Sequence, residues 1–340
     1  MQRRGLLLLV AVAVAAGVLA AVVLSRGDRA GSGAAATGGR ALPGLAGKLD
    51  QVAALRLTRG AVTVDFRLGN HGWTVVEKGN YPADQDRVRR LLLQLAELEL
   101  MEPKTDKPEL LARLDLDDPA AGKSTEIGLQ SRSGAPLGRI VIGRARPSDV
   151  ARGEAGTYVR QVGSDQAWLA RGAFALGGDA LSWLDRRIID IAPARVASVV
   201  LTAADGAAVI VARDSPDQPF AIDTPPADAR PKPDAALAAP AGALEALTLT
   251  DVKPAAERPS GGERGSTAAL TTFDGLVVGL RLSPATGGDW LTLAATGSGK
   301  AQAEAQAIGR KLAAWTFRIP ADRAKLLRTT LSDLLLPRGS

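Results

Sequence analysis

From Val52 onward the chain reads as if written twice, at an offset of about 145 residues. Val52-Ala53-Ala54-Leu55-Arg56-Leu57 opens one copy and Val196-Ala197-Ser198-Val199-Val200-Leu201 opens the other. An alternating run follows in each, with Val62, Val64 and Phe66 first and Val209 and Val211 later. Alternation at period two puts apolar side chains on one face of a half-buried strand. An aromatic-led strand comes next, Trp73-Thr74-Val75-Val76 against Phe220-Ala221-Ile222, and then Pro82-Ala83-Asp84 against Pro226-Ala227-Asp228. Leu95 to Leu100 corresponds to Leu244 to Leu249, and Trp168-Leu169-Ala170-Arg171 to Trp315-Thr316-Phe317-Arg318. Matched words in one order argue for an internal duplication.

The spacing predicts a helix after Asp84. Its carboxylate can accept from free N–H groups of the first turn, and Val88, Leu91, Leu92 and Leu95 form one apolar stripe. In the second copy, Pro231, Pro233 and Pro240 predict a Pro-rich surface loop that delays the helix. Further strands are predicted over Thr125 to Leu129, Arg139 to Ile142 and Tyr158 to Gln161, and over Ala268 to Thr272, Val277 to Leu282 and Trp290 to Ala294. An Ala-rich helix is predicted over Lys300 to Ala314, and closing helices over Leu181 to Ile189 and Leu326 to Leu335. Strands, a helix, more strands and a closing helix, given twice, predict an α+β fold with mainly antiparallel sheets and packed helices.

Ahead of the repeats stand nineteen consecutive apolar residues, Leu6 to Leu24, behind Arg3 and Arg4. At 1.5 Å per residue they reach about 28 Å, close to a bilayer core. The two arginines favour a cytoplasmic N-terminus. The expectation is a single-pass transmembrane anchor over 1–24 in the inner membrane, with the bulk of the chain periplasmic. A cleaved signal peptide is the rival reading. Residues 25–47, rich in Gly, Ala and Ser, read as a flexible linker. The domains are then an α+β repeat over 48–192 and a second over 193–340.

Composition narrows the chemistry. The absence of cysteine removes disulfides, thiolate metal sites and acylation of a lipoprotein. Net charge is +6, of which Arg3 and Arg4 supply two, a mild excess among 42 basic and 36 acidic side chains. With aromatics at 4% few rings are free to stack on bases, which disfavours nucleic acid as a partner.

His71 is the only histidine, in the turn-like Gly69-Asn70-His71-Gly72, and a Ser-His-Asp triad or a histidine metal site would depend on it. A solvated hairpin histidine is the simpler reading. Gly297-Ser298-Gly299-Lys300 resembles the end of a phosphate-binding loop, but Ala294 and Ala301 stand where that loop needs Gly and Ser or Thr. A helix cap explains Ser298 and Lys300 better than a Ser-Lys dyad. Asp115, Asp117 and Asp118 lack the central Gly and distal Glu of a calcium loop, and read as a solvated turn. Trp73, Trp168, Trp183, Trp290 and Trp315 fall in strands and helices, where core anchoring explains them better than sugar stacking. No catalytic, cofactor-binding or metal-ligating residue emerges from this reading, and no cofactor is expected.

Several of these words together resemble a family. An N-terminal apolar segment, Trp73, Tyr81-Pro82-Ala83-Asp84 with its Leu-rich helix, Ile142-Gly143, Tyr158-Val159-Arg160, Trp183-Leu184-Asp185-Arg186-Arg187 and the closing Trp315 to Pro320 are similar to the domain-of-unknown-function 4340 family. The resemblance implies an anchored bacterial envelope protein, often encoded beside an ABC-type export or gliding-motility system, with partners among envelope or ABC-transporter membrane proteins and with the bilayer through residues 6–24. It supplies no catalytic residues. The expected function is non-enzymatic binding or scaffolding. The alternatives are an envelope-polymer or small-ligand binding module and a histidine-independent envelope hydrolase.

Overall fold

A computed structural model describes residues 37–148, 155–257 and 265–337. The first strands are β1 (Val52–Arg59), β2 (Val62–Gly69), β3 (Gly72–Val75) and β4 (Tyr81–Pro82). Helix α1 (Gln85–Glu97), β5 (Leu100–Pro103) and the short α2 (Pro108–Leu111) follow. Then come β6 (Thr125–Ser131), β7 (Pro136–Arg146), β8 (Gly156–Gln161), β9 (Ala167–Arg171) and β10 (Arg187–Ile189). The later part holds β11 (Val196–Thr202), β12 (Ala208–Ala212), β13 (Ala221–Ile222), α3 (Asp234–Ala238), β14 (Leu247–Thr248) and β15 (Asp251–Pro254). It continues with β16 (Ser266–Thr272), β17 (Leu276–Ala285), β18 (Gly288–Gly297), α4 (Gln302–Leu312), β19 (Trp315–Arg318), α5 (Ala321–Leu326) and α6 (Leu331–Leu334).

One sheet has the strand order β4-β3-β2-β1-β6-β7-β8-β9-β5, and another has β13-β12-β11-β16-β17-β18-β19-β15. Apart from the extra edge strand β4, the two orders correspond member for member. The strands pair antiparallel, as in the run from β16 through β17 to β18. Alternation produces these strands directly. In β16, Ser266, Ala268, Leu270 and Thr272 are buried and the residues between them are not.

The expected α+β architecture is corrected by the structure: the described chain is mostly antiparallel sheet with a few short helices. Leu181 to Ile189 forms a 3-10 turn (Ala180–Trp183) and then β10, because Arg187 and Ile189 pair with Thr248 and Leu247 instead of continuing a helix. Leu326 to Leu335 is broken between α5 and α6. The Pro-rich stretch is not wholly a surface loop either. Pro240 is buried in a 3-10 turn that carries Ala241, Ala243 and Leu244 inward.

The expected transmembrane helix and single-pass inner-membrane placement are not supported by the structure. Among the described residues no helix is long and apolar enough to cross a membrane. The longest, α1, has 13 residues and includes Asp86, Arg87, Arg89, Arg90 and Glu97, whereas a span needs about 20 mostly apolar residues. Leu6 to Leu24 lies outside the described residues.

By contact the chain divides into two compact units, one comprising 1–52, 58–61 and 91–175, the other 53–57, 62–90 and 176–340. In the first, part of the expected linker is packed. Ala41, Leu42 and Leu45 are buried, and the N–H of Ala41 donates to the Leu98 carbonyl at 2.7 Å. Gly-rich composition masked three apolar anchors. Leu111 and Leu116, on the segment after β5, form a cluster with Val141 of β7 and Ala167 of β9. Gly143 allows this close approach, since a Cβ there would lie 2.3 Å from the Leu114 carbonyl oxygen. In the second unit Val199, Leu201, Val211, Leu270, Val278 and Leu291 fill the inner face of the sheet, and α4 packs on β18.

Candidate functional site

Two of the sequence words meet in the second unit. Ala83 bridges Leu184 in antiparallel fashion. The N–H of Asp84 donates to the Trp183 carbonyl at 2.8 Å, and the N–H of Asp185 to the Pro82 carbonyl at 3.0 Å. Asp84 caps α1, its Oδ1 accepting from the N–H of Arg87 at 2.9 Å. That capping was legible in the sequence. The docking of Tyr81 to Asp84 on Trp183 to Arg187 was not, because about a hundred residues separate them.

Around this clasp lies an open groove of about 740 Å³ with Asp84, Arg87, Asp185, Arg186, Arg187 and Lys311 on its walls. Its charges are largely committed to the protein itself. Lys311 Nζ is 3.3 Å from Asp185 Oδ2 and donates to the Arg187 carbonyl at 2.7 Å. Arg186 donates to the Leu249 carbonyl at 3.3 Å. Arg87 donates to the Ser182 carbonyl, and its guanidinium stands 4.3 Å over the Trp183 ring. Trp183 meets Phe66 edge to face at 5.2 Å. Tyr81 is buried edge-on to Trp315 and Phe317. Burial, and then the negative charge of Asp185, pushes its phenol well above the usual tyrosine range and keeps it neutral. Ser182 Oγ donates to the Asp179 carbonyl at 2.7 Å, so it serves a turn.

A second feature of the same unit is the outward side of its large sheet. The strand registers align Ile210, Val200, Ala269, Gly279 and Ala294 in one row across β12, β11, β16, β17 and β18. The rows on either side, read from Thr202 and from Ser198 through the same registers, add Ala, Ser, Thr and Val and one charged side chain, Arg281. A trough of about 500 Å³ runs over this face. The corresponding strands of the other sheet are charged on their outward side: Arg56 holds Asp65 in a two-pronged pair at 2.7 and 2.9 Å, and Arg139 lies 2.6 Å from Glu126. Sequence reading missed this contrast, because it becomes visible only once register aligns the residues.

The residues singled out from sequence do not converge. His71 is exposed in the two-residue turn joining β2 and β3. Ser298 and Lys300 are exposed at the start of a 3-10 turn, where the Ser298 side chain makes no cap hydrogen bond. Asp118 caps a 3-10 turn through Ala120, and Asp115 is left-handed at φ 53°. Trp73, Trp168, Trp183 and Trp290 are buried, and Trp315 is half-buried. Among the described residues no group of three or more metal-ligating side chains converges.

A family model described as a domain of unknown function, DUF4340, matches residues 73–260, more than half of the chain. The chain belongs to the DUF4340 family. Both halves of the clasp lie inside the matched region of this DUF4340 protein, whereas Trp315 to Pro320 lies beyond it. No curated protein and no solved structure matches the chain.

Proposed function

We propose that this DUF4340 protein is a non-catalytic binding or scaffold protein, accessory to an ABC-type export or gliding-type system as the family resemblance implies. The observation that carries the reading is the nearly uncharged outward face of β11, β12, β16, β17 and β18, in a chain whose matching strands elsewhere cover theirs with ion pairs. A flat face of small neutral side chains costs little to desolvate and fits a protein surface. The clasp supports the same reading, since its polar groups are spent on holding Tyr81 to Asp84 against Trp183 to Arg187. A second reading, a small polar ligand in the groove beside Lys311, rests on the size and charge of that groove. The test is affinity purification of the tagged chain from its own cells at native level, followed by identification of what co-purifies. Stoichiometric recovery of export-system proteins is expected. Recovery of the chain alone, together with turnover in a panel of hydrolase substrates, would refute the proposal.

A further inference from the structure

The nearly uncharged face of the second unit has two properties that bear on what it can bind. The first is Arg281. It is exposed, and among the described residues it makes no hydrogen bond, ion pair or ring contact. It is also the one charged side chain among the three aligned rows. A second copy docked through the same face would bring another Arg281 and no acid from these rows, leaving two cations without a counter-charge, an arrangement that works against self-association through it. A carboxylate on an occupant would supply the counter-charge that Arg281 lacks among the described residues.

The second property is shape. The surface is the face of a sheet and not its edge, so its backbone groups are already paired and strand addition has nothing to extend. Ala269, Gly279 and Ala294 sit on neighbouring strands about 4.8 Å apart, so the row they form spans about 10 Å, close to the rise of seven helical residues. Ala269, Gly279 and Ala294 leave the middle row shallow, with room for leucine-sized side chains. The first unit shows such an arrangement within its own chain. There α2, the 3-10 turn after it and the residues beyond, carrying Leu111, Leu114 and Leu116, cover Val141, Tyr158 and Ala167 on the outward side of β7, β8 and β9. The equivalent connection in the second unit, residues 255–265, contains no Leu, Ile, Val or aromatic residue in its sequence.

We propose, resting on the scaffold reading above, that this face docks an amphipathic α-helix from a partner protein. The helix seats leucine-type side chains over Ala269, Gly279 and Ala294 and pairs a flanking carboxylate with Arg281. Anchors spaced i, i+3, i+4 and i+7 fit such a face.

The test uses two synthetic helix-stapled peptides of about four turns, with leucines at that spacing. One is flanked by glutamates and the other by lysines, and binding to the full chain is read by fluorescence anisotropy. The glutamate peptide is expected to bind. Arg281→Glu is expected to weaken it by at least tenfold and to gain binding of the lysine peptide. Gly279→Gln fills the trough and is expected to abolish both. A Cβ at Gly279 lies 3.8 Å from its nearest neighbour, so this variant keeps its fold, which an unchanged circular-dichroism melt verifies. Failure of the wild type to bind either peptide, or binding indifferent to Arg281→Glu, overturns the proposal. A sedimentation-detected dimer broken by Gly279→Gln also overturns it, in favour of a second copy. If the proteins co-purifying from cells persist with Arg281→Glu, the scaffold reading stands and this face is not its surface.

Discussion

Trp183 offers a two-variant test of how the clasp is held. The side chain is 1% exposed, edge-on to Phe66 at 5.2 Å and beneath the Arg87 guanidinium at 4.3 Å. Its indole Nε1 is buried with no hydrogen-bond acceptor among the described residues. Truncation in Trp183→Ala removes the whole ring and both ring contacts, an expected loss of about 3–5 kcal/mol. Trp183→Phe keeps a ring against Phe66 and a face beneath Arg87. It leaves a smaller void, costing about 1–2 kcal/mol on the scale of lost methylenes. It also deletes a donor whose burial without a partner costs about 1–3 kcal/mol. The two terms oppose each other, so Trp183→Phe is expected within about 1 kcal/mol of wild type. Urea unfolding followed by circular dichroism, with unchanged m-values, measures both variants. A Phe variant as destabilised as the Ala variant would show that the indole N–H is bonded in solution, and would refute the reasoning.

Other outcomes follow from the same geometry. Asp84→Ala removes the cap on α1 and is expected to cost about 1 kcal/mol, read as a shift in the same urea midpoint. Asp333 is held below the usual carboxylate range, first by hydrogen bonds from Thr330 and then by Lys232 and Lys325. A carboxylate lowered in the folded state stabilises above its unfolded pKa of about 3.9. That contribution is lost as pH falls through the folded value. Melts between neutral pH and pH 2 are therefore expected to show a smaller acid-induced loss in Asp333→Asn than in wild type, with most of the difference below pH 4. His71→Ala is expected to change stability by no more than about 0.5 kcal/mol, as at ordinary exposed sites, and to leave partner recovery intact. Lost recovery in a stable His71→Ala chain would place His71 in the partner-binding surface and refute this expectation.

Strand positions and the helix after Asp84 could be read from residues alone, because each depends on neighbours within a few positions. Val209 and Val211, or Leu270 and Ala268, alternate because one side of each strand is buried whatever it pairs with. Asp84 caps its helix through an N–H three residues away. Apolar runs were misread where neither period is decisive. Leu181, Trp183, Leu184, Ile188 and Ile189 satisfy a helix on paper, and only pairing with Leu247 and Thr248 makes the end of that run a strand. Ala41, Leu42 and Leu45 are too sparse among glycines to announce burial, and the segment is held where Ala41 and Gly38 donate to the Leu98 and Leu100 carbonyls.

The candidate sites depend on longer range still. Sequence alone determined that Tyr81-Pro82-Ala83-Asp84 and Trp183-Leu184-Asp185-Arg186-Arg187 are present. Tertiary structure alone decided that the first two words lock together, and that Val200, Ala269, Gly279 and Ala294 share a row beside Arg281. The physical reason is register. A strand fixes which side each residue faces by local alternation, but which residues become neighbours is set by hydrogen bonds between segments far apart in the chain, and a shift of one residue would turn the face over.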